Sequence, residues 1–227
     1  MFKDLYQTVF PKICYGCSSD LAKTETWLCT SCKTNLPLTH FHKYNSNPVT
    51  QIFNGRVPLV HASSFFYFVK ESAVQHLLHA LKYNNTPKLG TAIGEWYAEE
   101  LIRDRAFESI DAIVPIPLHY SKQQKRGYNQ SAMFAIGLTH LLKKPLDITS
   151  VIRNTATETQ TQKSRMERWE NVSDVFEINS AEKLTNKHIL LVDDVITTGA
   201  TLEACANKIL NLAGTSISIA TIAFAKI

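Results

Sequence analysis

The feature that most restricts this chain is the run His188-Ile-Leu-Leu-Val-Asp-Asp-Val-Ile-Thr-Thr-Gly-Ala-Thr201. Ile189 to Val192 is a continuous apolar run of buried-strand type, and it ends on two adjacent carboxylates. A turn of small and hydroxylated residues then leads into a helix, Ala200 to Ala213, with Leu202, Cys205, Ile209 and Leu212 on its core face. Strands alternating with helices, of which this is the last but one strand and its helix, predict a largely parallel α/β sheet, whose ligands bind beyond the carboxyl ends of the strands. Thr197, Thr198, Gly199, Ala200 and Thr201 can aim backbone N–H groups and hydroxyls at a phosphate on the positive end of the helix dipole, and Gly199 allows close approach. Asp193 and Asp194 have the wrong charge for phosphate but the right one for sugar hydroxyls or Mg(II). A phosphate next to a diol implies a phosphorylated ribose. A plain helix cap needs one short polar residue, whereas seven of the nine positions from Asp193 to Thr201 are acidic, hydroxylated or small. The Gly-Lys-Ser/Thr of a Walker loop is missing, and no G-x-G-x-x-G follows a strand.

The same alternation begins at Leu59. Leu59 to Val69 is rich in aromatic and β-branched residues and reads as a strand. Val74, Leu77, Leu78 and Leu81 recur at i, i+3, i+4, i+7, the apolar face of a helix, and a second helix carries Ile93, Trp96, Tyr97 and Leu101. Ile110 to Pro117 reads as a short strand, Asn129 to Lys143 as a helix with Met133, Ile136 and Leu141 inward, and Thr215 to Phe224 as a closing strand. Residues 154 to 171 are polar and lack apolar periodicity, which predicts a long functional loop.

Four of the five cysteines fall in one motif, Cys14-x2-Cys17-x11-Cys29-x2-Cys32. Each C-x2-C pair can turn two thiolates toward one point, and two such pairs complete a tetrahedral S4 shell for Zn(II). A closed four-thiolate shell leaves no position for substrate, so this zinc is expected to be structural. About fifty residues with little periodicity need such a staple, which predicts a zinc-ribbon module over residues 1–50 and a second domain over residues 58–227. His40 and His42 stand just downstream as weaker ligand candidates, and the turn-rich stretch Lys43 to Pro58 reads as the linker. Cys205, far away on a helix face shared with Leu202 and Ile209, reads as a core thiol.

With 44% hydrophobic and 19% charged residues among 227, the composition is that of a soluble globular protein and excludes disordered and collagen-like classes. The longest apolar stretches, Ser63 to Val69 and Ile217 to Phe224, are too short to span a membrane. Lys3, Asp4, Pro11 and Lys12 interrupt the first residues, so no export signal is read and a cytoplasmic location is expected. The net charge of +4 is unevenly spread: residues 115–172 hold nine Lys/Arg against four Asp/Glu. A local basic excess of this kind suits phosphates or nucleic acid.

The acidic pair with its threonine-glycine turn resembles the phosphoribosyl pyrophosphate signature of type I phosphoribosyltransferases. Val114-Pro-Ile-Pro-Leu-His119, Lys125-Arg-Gly-Tyr-Asn-Gln-Ser131 and Thr159-Gln160 through Ser164-Arg165, Arg168 and Asn171-Val172 are similar to the ComF family, as are the double C-x2-C and Leu81-Lys-Tyr83. The resemblance covers nearly the whole chain. It implies a type I phosphoribosyltransferase-like α/β fold behind a zinc ribbon, with phosphoribosyl pyrophosphate and Mg(II) as ligands.

In such a fold the 5'-phosphate would lie in Thr197 to Thr201 and the ribose hydroxyls on Asp193 and Asp194. The pyrophosphate would lie by a loop over Leu118 to Asn129, with Arg126, Gly127 and Asn129 as contacts. A hood over residues 154–171 would add Lys163, Arg165 and Arg168. Lys163 replaces a usually apolar residue, and Tyr128 stands where Phe is common. The resemblance leaves two classes open. One is an enzyme that transfers phosphoribosyl to an acceptor the sequence does not name. The other is a non-enzymatic factor handling single-stranded DNA in natural competence beside a helicase, with Lys12, Tyr15, Lys23, Trp27 and Lys33 of the ribbon offering charge and stacking.

Overall fold

The computed structural model describes residues 12–153 and 175–225. Its centre is a four-stranded sheet of β1 (Leu59–Tyr67), β2 (Ala112–Pro115), β5 (His188–Ile196) and β6 (Ser216–Phe224), in the order β1-β6-β5-β2. All three pairings are parallel, as the alternating pattern predicted. Parallel sheets bury both faces, and β5 shows it residue by residue. Leu190 and Val192 join one core cluster while Ile189 and Leu191 join the other.

On the first face pack α3 (Ala73–Tyr83), α4 (Pro87–Arg103) and α6 (Gln130–Leu142). Val74, Leu77, Leu78 and Leu81 of α3 are buried as the periodicity required, as are Ile93, Tyr97 and Leu101 of α4. The inward face of α6 differs from expectation. Phe134, Ala135 and Leu138 are buried, Met133 and Ile136 are half-buried, and Leu141 is exposed. The cause is a close crossing with α4: a Cβ on Gly137 would stand 2.1 Å from the Thr91 carbonyl oxygen, and one on Gly94 2.3 Å from that of Phe134. The helix turns Gly137 inward because only there can the two backbones touch. Two buried polar pairs lie in this core: the Tyr97 hydroxyl donates to Ser63 Oγ at 2.7 Å, and Ser64 bonds Thr221.

The second face carries α2 (Pro48–Phe53), α7 (Ala200–Leu210) and a small antiparallel ribbon of β3 (Val151–Arg153) and β4 (Phe176–Ile178). The turn-rich stretch read as a linker therefore contains a helix. Asn47 caps it through a reciprocal bond with Thr50, Pro48 starts it, and Val49, Phe53 and Val57 are buried. The tetra-cysteine segment with α1 (Thr30–Asn35) lies against the first face. Cys14, Leu28 and Leu36 share a cluster with Phe65 and Leu77, and His76 Nδ1 bonds the Gly16 carbonyl at 2.7 Å. Among the described residues no helix is long and apolar enough to cross a membrane.

Candidate active site

β5 and β2 are neighbours in the sheet, where folds of this kind form a crevice beyond the strands' carboxyl ends, and Ser131 in the helix α6 reaches Asp193 of β5. Asp193 and Asp194 stand at the end of β5. Ser131 Oγ and the Asp194 backbone N–H each donate to Asp193 Oδ1 at 2.8 Å, and Lys82 Nζ sits 2.9 Å from Asp194 Oδ2. Burial, and then the neighbouring Asp194 charge, push the Asp193 carboxyl up to about 7, against the opposing hydrogen bonds and Lys82. Asp193 also borders a pocket of about 50 Å3 that is lined otherwise by Val195 through Leu202.

That pocket is the phosphate-cradle candidate. Gly199 caps α7 in the left-handed region at φ +76° and has no side chain to cap it, Ala200 N donates to Thr198 Oγ1 at a long 3.4 Å, and Ala200 and Thr201 line the pocket at the helix start. A Cβ at Gly199 would also stand 2.8 Å from Ile52 Cγ2 and 3.0 Å from the Phe53 ring. Glycine is required here twice, by backbone conformation and by the approach of α2. Arg56, beyond α2, donates to the Thr198 carbonyl at 3.1 Å and pairs with Glu203, tying the loop from behind. No sequence signal pointed to Arg56, because its partners lie about 140 residues away.

The third part is a cleft of about 580 Å3 lined by Lys82, Tyr83, Asn85, Lys122, Gln124, Lys125, Arg126 and Gly127. The stretch Leu118 to Asn129, expected as a loop, folds into α5 (Tyr120–Arg126) between a His119 cap and the left-handed Gly127 at φ +81°. The Lys-Arg-Gly triplet at its end was a helix-stop signal of the ordinary kind, with cations on the negative end of the dipole. Arg126 lies over the Tyr83 ring and donates to Gln130 Oε1 at 2.8 Å, while Gln130 Nε2 is buried with no partner among the described residues. Asn129 serves the fold, since its Oδ1 accepts from Ser131 N to cap α6 and its Nδ2 donates to the Ile116 carbonyl after β2. Lys82 ends α3 but is more than a helix-end charge, since it lines this cleft and holds Asp194. Lys163, Arg165 and Arg168 of the expected hood lie outside the described residues; β3 and β4 pair on either side of that segment.

Residues 79–227 match the phosphoribosyl transferase domain. The chain belongs to that family. The phosphoribosyl transferase match begins within α3, so the tetra-cysteine segment precedes it. Relatives extend further. The DNA utilization protein YhgH of Escherichia coli K12 is 27% identical over 213 residues, covering 91% of this chain and 88% of the relative. Competence protein ComFC of Bacillus subtilis is 28% identical over 207 residues, covering 88% and 78%. Competence protein F of Haemophilus influenzae is 34% identical over 110 residues, 48% of each. Among solved structures, the glutamine phosphoribosylpyrophosphate amidotransferase of B. subtilis aligns at TM-score 0.46 and 16% identity, covering 64% of this chain and 30% of that one. The purine phosphoribosyltransferase of Pyrococcus horikoshii aligns at 0.40 and 20%, covering 61% and 81%.

The cysteine cluster of this phosphoribosyl transferase protein is compact. The ligand atoms of Cys14, Cys17, Cys29 and Cys32 all lie within 4.8 Å of one another. Sulfurs on a tetrahedron about 2.3 Å from zinc stand about 3.8 Å apart, and Cys17 and Cys29 Sγ are 3.7 Å apart. Gly16 N and Cys29 N donate to Cys14 Sγ at 3.3 Å, and Cys32 N to Cys29 Sγ at 3.4 Å, bonds that favour thiolates. The donor set and spacing fit zinc. Around the acidic pair the donors are hard oxygens, which fit Mg(II) rather than a soft ion.

Proposed function

We propose that the protein binds phosphoribosyl pyrophosphate with Mg(II) and transfers the phosphoribosyl group to an acceptor with release of pyrophosphate. One observation carries this reading: the acidic pair links two cavities, since Asp193 borders the pocket at the Gly199 loop and Asp194 pairs with Lys82, which lines the basic cleft. A 5'-phosphate, a ribose diol and a pyrophosphate are joined in that same order. In this assignment Thr197 to Thr201 bind the 5'-phosphate and Asp193 and Asp194 hold the ribose hydroxyls. Lys82 and Arg126 face the leaving pyrophosphate, whose developing charge they stabilise as the C1–O bond breaks. Mg(II), when bound, would neutralise part of the pyrophosphate charge. Ser131 and Gln130 act as positioning residues, holding Asp193 and Arg126. The cysteine cluster holds a structural zinc ion and we place the protein in the reducing cytosol, where its thiolates persist.

Calorimetry with phosphoribosyl pyrophosphate and Mg(II) tests this directly. Loss of one charge-assisted contact costs about 1.5 to 3 kcal/mol, so Asp194→Asn should bind roughly ten- to a hundredfold more weakly than the parent. Unchanged affinity in the variant, or no binding by the parent, refutes the assignment. Pyrophosphate release in a screen of nucleobases and amines then separates turnover from binding alone.

A second reading places single-stranded DNA on the basic cleft, beside a helicase partner. It is favoured by Tyr83, 63% exposed among Lys82, Lys122, Lys125 and Arg126, which puts an aromatic ring within a cationic groove, where a base would stack by displacing Arg126 from it. The relatives named for competence and DNA utilization agree with it.

A further inference from the structure

A second group of metal-type ligands lies away from both the cysteine cluster and the crevice. One ligand atom from each of His40, His42 and Glu100 falls within 4.8 Å of the others. His40 and His42 flank the buried Phe41 in a short 3-10 turn, Phe41–Lys43, and Glu100 lies in the last turns of α4. His42 and Glu100 are 7% and 8% exposed, while His40 is open to solvent. Phe41 packs edge-on against Tyr67 and Phe224, which anchors the turn that carries both histidines.

The hydrogen bonding of His42 gives the cluster its direction. Nε2 meets Asp104 Oδ2 at 2.9 Å, and a carboxylate only accepts, so Nε2 carries the proton. Nδ1 is buried with no partner among the described residues. A proton at Nδ1 would have no acceptor, so the ring is neutral with a bare lone pair on that atom. Asp104 and Lys43 line an open groove with His42, and Nδ1 is the ring nitrogen left free for another partner. A histidine that donates one N–H to a carboxylate, keeps its other nitrogen free and stands beside two further ligand residues has the makings of a metal-binding imidazole with its supporting carboxylate.

We propose that His40, His42 through Nδ1, and Glu100 bind a divalent transition-metal ion of the Zn(II), Co(II) or Ni(II) type. Two imidazoles and one carboxylate select such ions over Mg(II) and Ca(II), which take oxygen donors. Three ligands leave a further coordination position on the solvent side, where His40 is exposed. Asp104 is a positioning residue for this ion, held in turn by Lys43 at 3.2 Å; Arg103 shares Glu100 through Oε1 at 3.0 Å. The ion would tie the histidine turn to the end of α4.

Co(II) added to the metal-free full-length protein distinguishes the two sites by colour. The cysteine site gives intense sulfur-to-cobalt charge transfer, and the histidine site gives weak bands without it. The parent is expected to take up two equivalents, one of each kind. His40→Ala, at an exposed position that leaves the fold alone, should retain the thiolate bands and lose the second equivalent; Glu100→Gln should weaken it at least tenfold. Asp104→Asn should weaken it roughly ten- to a hundredfold while leaving the cysteine site unchanged. If the parent binds only the thiolate-coloured equivalent, or if His40→Ala still binds two, the site does not exist.

Discussion

Asp193 carries a cost that the folded chain bears for its site. Its folded-state value is raised from 3.8 to about 7 by burial first and by Asp194 second. Stability from the neutral acid is therefore fully present below about pH 4 and is lost as pH rises through about 7. Asp193→Asn, which keeps an oxygen for Ser131 Oγ and Asp194 N, should melt higher than the parent at pH 8, with the gap shrinking toward pH 5. The same variant should lose phosphoribosyl pyrophosphate affinity, so thermal denaturation and calorimetry move in opposite directions. Gly199 is the other single residue on which the cradle turns. Gly199→Ala forces a side chain into the left-handed region and against Ile52 and Phe53, at about 1 to 3 kcal/mol of stability in denaturant titration. Its phosphate binding should fall as the loop shifts. A stability loss without any change in ligand affinity would mean that this loop is not the cradle.

At the scale of elements, the pieces that support the site come from far along the chain. α2 buttresses the loop over residues 197–201 through Ile52, Phe53 and the Arg56 bond to Thr198. Removing that guanidinium in Arg56→Ala should weaken phosphoribosyl pyrophosphate binding severalfold while costing at most about 1 kcal/mol of stability, because the ion pair with Glu203 is partly exposed. The cysteine segment buttresses the opposite face, where Trp27 meets Trp96 edge-on at 6.0 Å and Lys33 lies over the same ring. If the segment holds the proposed zinc, chelation or Cys14→Ser should unfold it and uncover the α3 and α4 face, seen as a lower melting temperature and new binding of an apolar dye. If metal analysis of protein purified without chelator finds no Zn(II), the staple assignment is wrong.

For the whole molecule, the charge distribution decides what large ligand can approach. The basic excess of residues 115–172 includes Lys122, Lys125 and Arg126, and these side chains converge on one cleft with Lys82. If single-stranded DNA lies there, replacing Lys122, Lys125 and Arg126 together by Ala should flatten the dependence of log affinity on log salt by up to about 2 units. Phosphoribosyl pyrophosphate should then compete with DNA, since both need the same cations. A triple variant that binds DNA with the parent's affinity and salt slope would leave the cleft to the small substrate.

Local patterns determined a great deal by themselves. The apolar run at Ile189, the helix faces of α3 and α4, the paired cysteines and the Asp-Asp-x-x-Thr-Thr-Gly-Ala-Thr turn are each read within a dozen or so residues, because hydrophobic period, cap chemistry and ligand spacing are short-range properties. The stop at Gly127 was equally local, yet the helix before it escaped because α5 buries no apolar face that periodicity would reveal. Only the tertiary structure decided which face of α6 turned inward, since apolar residues surround that helix and a glycine contact with α4 chose among them. It also decided the partners of the site. Lys82 reaches Asp194, Ser131 reaches Asp193, and Arg56 reaches Thr198 across 112, 62 and 142 residues, pairings made by sheet order and layer packing. A sequence names the charged groups, but the net worth of each depends on what burial places beside it.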